Sequence, residues 1–176
     1  DALELNIYIF PFDKELNSND IEEKYVEIVK EVKQYVNIPV AVKIGYGFTN
    51  VLRLTSKLED AGANGLVVFN RFYRPDIDVE NERVVRANVL SDPSEITQAL
   101  RWIVLLSGEL KLDLAGSRGI HDANGIVKML LAGADVTQIC SAFFIHGLGY
   151  IDTLLFDLQK WMEKTQSNIR SASLFR

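Results

Sequence analysis

"LDLAGSRGIHDANGIVKMLLAGADV", Leu112 to Val136, is the stretch on which the reading of the chain turns. A short apolar run leads into a Gly-containing turn, and a helical pattern begins at about Asp122. A strand that passes to a helix through glycines points backbone N–H groups out of the turn, and an anion suits that position. Arg118 stands inside the turn, where glycine would be most comfortable.

Outward from this stretch, strand and helix signals alternate. "ALELNIYI", "IPVAVKI", "GLVVFN", "LKLDLAG" and "ADVTQICSA" read as strands, and "IPVAVKI" looks like a parallel strand buried on both faces. The first helix is expected after Asn19 as cap, with Glu22 three residues on and Ile21, Tyr25, Ile28, Val29 and Val32 as its apolar stripe. A second covers about Thr49 to Asp60, and a third starts where Ser91 or Asp92 caps Pro93. "ANGIVKMLLAG" and "GYIDTLLFDLQKWMEKT" are the last two, and residues 76–86 form a small hairpin turning at Asn81.

Such alternation builds a parallel sheet with right-handed crossovers. There is also an internal echo. "EDAGANGLVVFN" and "LLAGADVTQICS" share helix, Ala-Gly-Ala turn and strand in one order. The fold class is therefore α/β, a (β/α)8 TIM barrel. A complete barrel needs eight strands and about 250 residues. The 176 residues here supply roughly five strands, so the chain reads as the last five-eighths of one barrel domain, with the earlier strands expected before Asp1. Open sheet edges predict that this segment alone aggregates or dimerises, whereas the complete chain is soluble.

Composition narrows the function. A net charge of −5 without a basic stripe speaks against a nucleic-acid or anionic-membrane surface. No apolar run reaches the roughly 18 residues of a membrane span, and a cytoplasmic location is expected. Cys140 is the single cysteine and His121 and His146 the only histidines, so neither disulfides nor a metal site is expected. Cys140 reads as a small core residue, His121 as a surface or capping residue, and Trp102, Trp161 and Met162 as core packing.

Barrels of this type act where their strands end. Those positions here are Asn6, Lys43, Asn70, the Gly116–Gly119 turn and Cys140–Ser141. Lys43 needs an anion or a partner, because an unpaired ammonium is costly to desolvate. It reads as a lysine paired with a carboxylate or reaching solvent, as a Schiff-base lysine, or as a cation beside an anionic cofactor. Asn70 and Asn6 offer amides to a heterocycle edge or simply cap the strand-to-loop turn. The two late loops, "AGSRG" and "CSAFF", together suit a phosphate.

At these residues the chain resembles the dihydroorotate dehydrogenase family, FMN-dependent barrels of pyrimidine biosynthesis. The likeness lies in "ALELN", "IPVAVKI", "AGANGLVVFNRFY", "GIHDANGIVKMLLAGADVTQICSAF" and the closing helix with its "SNIRS" tail. "FNRFY" points to a bacterial branch of dihydroorotate dehydrogenase-like proteins. The resemblance implies FMN as cofactor, with Lys43 contacting the isoalloxazine ring. It implies Asn70 and Asn6 as substrate contacts, with Asn70 beside the flavin. Gly116, Arg118 and Gly119 would then form one phosphate segment, and Cys140 and Ser141 the other. A pyrimidine-like substrate and a homodimer are implied as well.

Three departures qualify it. The family's base is a Cys or Ser in a loop reading close to Asn-Leu-Ser-Cys-Pro-Asn. This chain reads "NIYIFPF", with Tyr8 and Ile9 at those places. An unperturbed tyrosine, with a pKa of about 10, is a poor base at neutral pH. Arg118 replaces the first glycine of the phosphate turn, and the first three strands are absent. Two functions follow as expectations: an FMN-dependent oxidoreductase with an altered substrate, or a non-catalytic relative that binds ligands or partners.

Overall fold

The computed structural model describes residues 1–165. Five parallel strands form one sheet in the order β1 (Leu3–Asn6), β2 (Val40–Ile44), β3 (Gly65–Val68), β6 (Asp113–Ser117) and β7 (Val136–Gln138). Between them run α1 (Ser18–Tyr35), α2 (Val51–Asp60), α3 (Ile96–Leu106) and α4 (Ala123–Leu131). The chain closes with α5 (Ser141–His146) and α6 (Tyr150–Thr165). The expected hairpin is present as β4 (Pro75–Asp78) and β5 (Arg83–Arg86), paired antiparallel.

The repeated Ala-Gly-Ala turn is a repeated structure. Gly62 and Gly133 end α2 and α4 with φ of +100° and +108°. The amides of Ala63 and Ala134 reach back to the carbonyls of Leu58 and Met129 at 3.0 Å each. Glycine is the residue for which this left-handed exit carries no Cβ penalty, so the same three letters stop both helices and launch both following strands.

One helix start differs from expectation and another meets it. Asn17, not Asn19, caps α1: its side chain accepts from the amides of Asn19 and Asp20, and the Asp20 carboxylate accepts from the Asn17 amide at 2.9 Å. Asn17 and Asp20 have the three-residue spacing a capping box needs, two residues earlier than the pair read from the pattern. Glu22 is instead buried, with its carboxylate 3.4 Å from Lys57 Nζ on α2. Before α3, Asp92 caps a 3-10 turn at Pro93–Glu95 whose side chains complete a second capping box.

One expectation about β2 is corrected by the sheet. Val40, Val42 and Ile44 are fully buried under the helices, whereas Ala41 and Lys43 on the other face are only partly covered. Parallel register places Asn6, Lys43 and Val67 side by side, and Val67 beside Ala115. This concave face carries Glu4 and Asn6 exposed and Val136 half-exposed. Strand alternation therefore separates a hydrocarbon core on the helix side from a mixed face, on which Glu4, Asn6, Lys43 and Gln138 stand among Ala41, Val67, Ala115 and Val136.

α6 differs in the same sense. Leu154 is its buried residue, Trp161 and Met162 are half-covered, and Leu155 and Phe156 stand exposed. Among the described residues its neighbours are chiefly α4 and α5, which cover one side of it. Trp102 meets the core as expected, edge-on to Phe69 at 6.4 Å. The "SNIRS" tail lies outside the described residues.

Candidate functional site

The strand ends open onto a cavity of about 490 Å3, within the roughly 300–1,000 Å3 typical of small-molecule sites. Lys43, Asn70, Arg118, Gly119, Cys140 and Ser141 all line it. They arrive from the ends of β2, β3, β6 and β7, so the sheet's register assembles the site. Six of the residues singled out in the sequence thus share one wall.

Lys43 is paired on the concave face. Its Nζ donates to Gln138 Oε1 at 2.9 Å and lies 3.4 Å from Glu4 Oε1. Gln138 in turn donates to the second oxygen of Glu4. The carboxylate pairing foreseen for an enclosed lysine is met, and the glutamine joins β7 to β1 across the open face. Beside it, Asn70 donates through its amide nitrogen to Asn6 Oδ1. Asn6 reaches the site through this hydrogen bond, since Asn70 and not Asn6 lines the cavity.

The glycine turn follows different physics at each of its members. Gly116 does not line the cavity; a Cβ there would lie 2.9 Å from Met129 Sδ, so its smallness seats α4 on the sheet. Gly119, at φ +67°, does line the cavity, and a Cβ there would sit 2.2 Å from the Ile96 backbone nitrogen. Its backbone passes against the start of α3 with no room for a side chain.

Arg118 holds a φ of +84°, which costs an L-residue with a side chain about 1–3 kcal/mol. Its side chain is 4% exposed and does not offer its charge freely to the turn. Nη2 meets Glu95 Oε2 at 2.5 Å, Nη1 meets Gln98 Oε1 at 3.4 Å, and the guanidinium lies over the Tyr46 ring at 5.6 Å. Its role as a free cation replacing a backbone contact is thus corrected: the charge is tied to Glu95. Burial acts to raise the Glu95 pKa, but hydrogen bonds from Arg118 and Arg71 outweigh it and hold the carboxyl at about 2.

Cys140 is also corrected. It is exposed at the cap of α5 rather than buried in a strand, because β7 ends two residues earlier at Gln138. Ser141 Oγ accepts the Ser91 amide at 2.8 Å, and Ser91 Oγ lies 3.0 Å from His121 Nε2. This ties the loop before α3 to both late turns. His121, expected at the surface, is part of that tie.

The family's base position leads elsewhere. Tyr8 is half-exposed and leans on Phe72, the ring centroids 4.5 Å apart and the planes tilted by 57°. Ile9 lines a separate cavity of about 120 Å3 with Tyr25, Glu22 and Phe48. Neither lines the large cavity.

Several residues in the wall or behind it escaped the sequence reading. Gln138 was findable, since it ends β7 in register with Ser117 at the end of β6. Arg71 follows Asn70 directly and lines the same cavity. Glu95 had no such signal, because its place in a capping turn hides its ion pairs with Arg71, Arg74 and Arg118.

The family model for dihydroorotate dehydrogenase matches residues 1–162. The catalytic subunit of dihydroorotate dehydrogenase B (NAD(+)) from Anoxybacillus flavithermus is 32% identical over 148 residues, covering 82% of this chain and 47% of that protein. The corresponding protein of Halalkalibacterium halodurans is 29% identical over 169 residues, 93% of this chain and 54% of its own. Dihydroorotate dehydrogenase A (fumarate) of Limosilactobacillus reuteri is 36% identical over 121 residues, 66% and 39% of the two chains. The chain spans about half the length of the curated relatives it matches.

Proposed function

Because this chain belongs to the dihydroorotate dehydrogenase family, we propose that residues 1–176 are the C-terminal part of a single FMN-type (β/α)8 barrel domain. The whole protein is then a flavin-linked oxidoreductase acting on a CH–CH bond of a pyrimidine-like substrate, with dihydroorotate as the reference compound. One observation carries this reading. Lys43, Asn70, Gly119 and Ser141, drawn from four different strand ends, line one cavity.

The donor set fits FMN. A cation and two amides, Lys43, Asn70 and Gln138, suit a flat heterocycle rich in carbonyl and imide groups. Ser117, the Gly119 backbone and Ser141 suit its phosphate. When bound, FMN supplies the acceptor for a hydride. Lys43 would lend positive charge to the ring, drawing on an ammonium already held by Glu4 and Gln138. Asn70, braced by Asn6, would orient the substrate. Phe69, fully buried at the cavity wall, excludes water there.

A second reading has its own support. Tyr8 and Ile9 stand apart from the large cavity, so a non-catalytic relative that binds the ligand without proton transfer also fits. The full-length protein separates the two. A visible flavin spectrum that bleaches anaerobically with dihydroorotate supports the enzyme. A flavin that stays oxidised with every dihydropyrimidine tried supports the binding protein, and a colourless protein that takes up no added FMN defeats both flavin readings.

The proposal extends to a cytoplasmic homodimer. In support, no helix among the described residues is long and apolar enough to cross a membrane. Phe144, Leu148 and Phe156 present exposed apolar surface for an assembly contact. Sedimentation of the full-length protein as a monomer at micromolar concentration would remove the dimer.

A further inference from the structure

Arg71 opens onto two spaces. It lines the large cavity next to Asn70 and also a neighbouring cavity of about 180 Å3 beneath the β4–β5 hairpin. The smaller space is lined by Arg71, Arg74 and Arg86 together with Asn88, and no acidic residue is part of its wall. At this size it holds an arm of a ligand rather than a whole one, since complete small-molecule sites begin at about 300 Å3.

The charges around it do not balance. Arg71, Arg74 and Arg118 all pair with the one carboxylate of Glu95, at 3.3, 3.5 and 2.5 Å. Three guanidinium groups share this one carboxylate, and counting Asp92 of the same capping turn still leaves the arginines in excess. Much of this cluster is out of water: the side chains of Arg71, Glu95 and Arg118 are 19%, 11% and 4% exposed. Three of the five N–H donors of Arg71 have partners among the described residues, two on Glu95 and one on the Val89 carbonyl. Arg118 Nε is enclosed and has no hydrogen-bond partner among the described residues. Uncompensated, partly desolvated guanidinium charge with donors to spare is the arrangement that binds an oxyanion.

We propose that Arg71 and Arg74, held in place by Glu95, form an oxyanion subsite between the large cavity and the space under the hairpin, and that the bound ligand places a carboxylate or phosphate there. The subsite makes the hairpin part of the recognition surface, because Arg86 on β5 faces the same space. It deepens the proposed function by naming the charge of the ligand, and it rests on that reading only in taking the large cavity as the ligand's seat.

Two ligand pairs test it on the full-length protein by titration calorimetry. Orotate and uracil differ by a carboxylate on the ring, and FMN and riboflavin by a phosphate. The expected result is that Arg71→Gln and Arg74→Gln each weaken the anionic member of one pair at least ten-fold and leave its neutral partner unchanged. A loss confined to orotate assigns the subsite to the substrate carboxylate, and one confined to FMN assigns it to the cofactor phosphate. The proposal is overturned if both members of each pair weaken alike, if neither variant changes any affinity, or if the wild type binds none of the four. Arg74 is 44% exposed, so its variant stays interpretable should Arg71→Gln fold poorly. Arginine-dependent orotate binding by a protein that takes up no flavin would defeat the flavin reading and leave the subsite standing. A flavoprotein whose ligand affinities ignore both arginines would do the reverse.

Discussion

The ends of β2 and β3 and the end of β1 lie side by side in one sheet, yet they lead to different places. Lys43 and Asn70 line the large cavity. The chain leaving β1 takes another course after Asn6: Ile7 is buried, Tyr8 leans on Phe72, and Ile9 faces a small cavity with Tyr25 and Phe48. Holding a ligand requires residues that strand register alone puts in place. Moving a proton requires a base beside the ligand, and neither Tyr8 nor Ile9 lines the cavity. The proposed ligand seat and the residues at the family's base position thus stand apart in this fold.

The largest effect is expected where the cavity wall is backbone. Gly119→Ala puts a Cβ 2.2 Å from the Ile96 nitrogen at a φ of +67°. Strain and overpacking together predict a loss of roughly 3–5 kcal/mol, read as a lower urea midpoint. A change under about 1 kcal/mol would mean that the turn does not lean on α3 in solution, and the cavity side of the comparison would lose its fixed wall.

Glu95 comes next. Its folded pKa of about 2 lies below the ordinary 4.5, so the unfolded chain binds this proton more readily than the folded one. The resulting stability is present above pH 4.5 and is lost as pH falls toward 2, on the order of 3 kcal/mol in total. Glu95→Gln should lower stability at pH 7 and flatten its dependence over that acid window. An unchanged acid limb in urea titrations would show that the three arginines do not depend on this carboxylate.

What the sequence disclosed follows the same division. Strand ends and the Ala-Gly-Ala turns were readable because they rest on local patterns, periodicity and a glycine exit that any copy of the motif repeats. Lys43, Asn70, Gly119 and Ser141 were found by asking only what stands where a strand stops. Arg118 was misread because its letter marks a cation, whereas its fate depends on Glu95, 23 residues away. Gly116 shows the converse: its neighbour is Met129, and no local pattern distinguishes a glycine that admits a ligand from one that admits a helix. Cys140 shifted from core to mouth because β7 stops at Gln138, and element boundaries are the least legible feature of a sequence.

A smaller effect is expected at Lys43. Its pair with Glu4, a side chain 36% exposed, is worth at most about 1 kcal/mol, so Lys43→Met should barely move the urea midpoint. Its contact to a bound flavin, as a charge-assisted hydrogen bond of about 1.5–3 kcal/mol, should be worth ten- to hundred-fold in the FMN dissociation constant. Equal losses in both measurements would make Lys43 a structural lysine and dissolve the contrast between the two strand ends.

The smallest effect is the most discriminating. Tyr8→Phe removes one hydroxyl from a half-exposed ring and keeps the ring contact with Phe72, so stability should change by less than about 0.5 kcal/mol. FMN affinity should also be unchanged, because Tyr8 does not line the cavity. If the full-length protein oxidises dihydroorotate, its rate too should fall by less than about two-fold, since a general base normally contributes at least a hundred-fold. A hundred-fold loss of turnover with flavin content intact would mean that the loop after β1 swings over the ligand during the reaction. The separation of binding from proton transfer drawn from these two strand ends would then hold only for the resting protein.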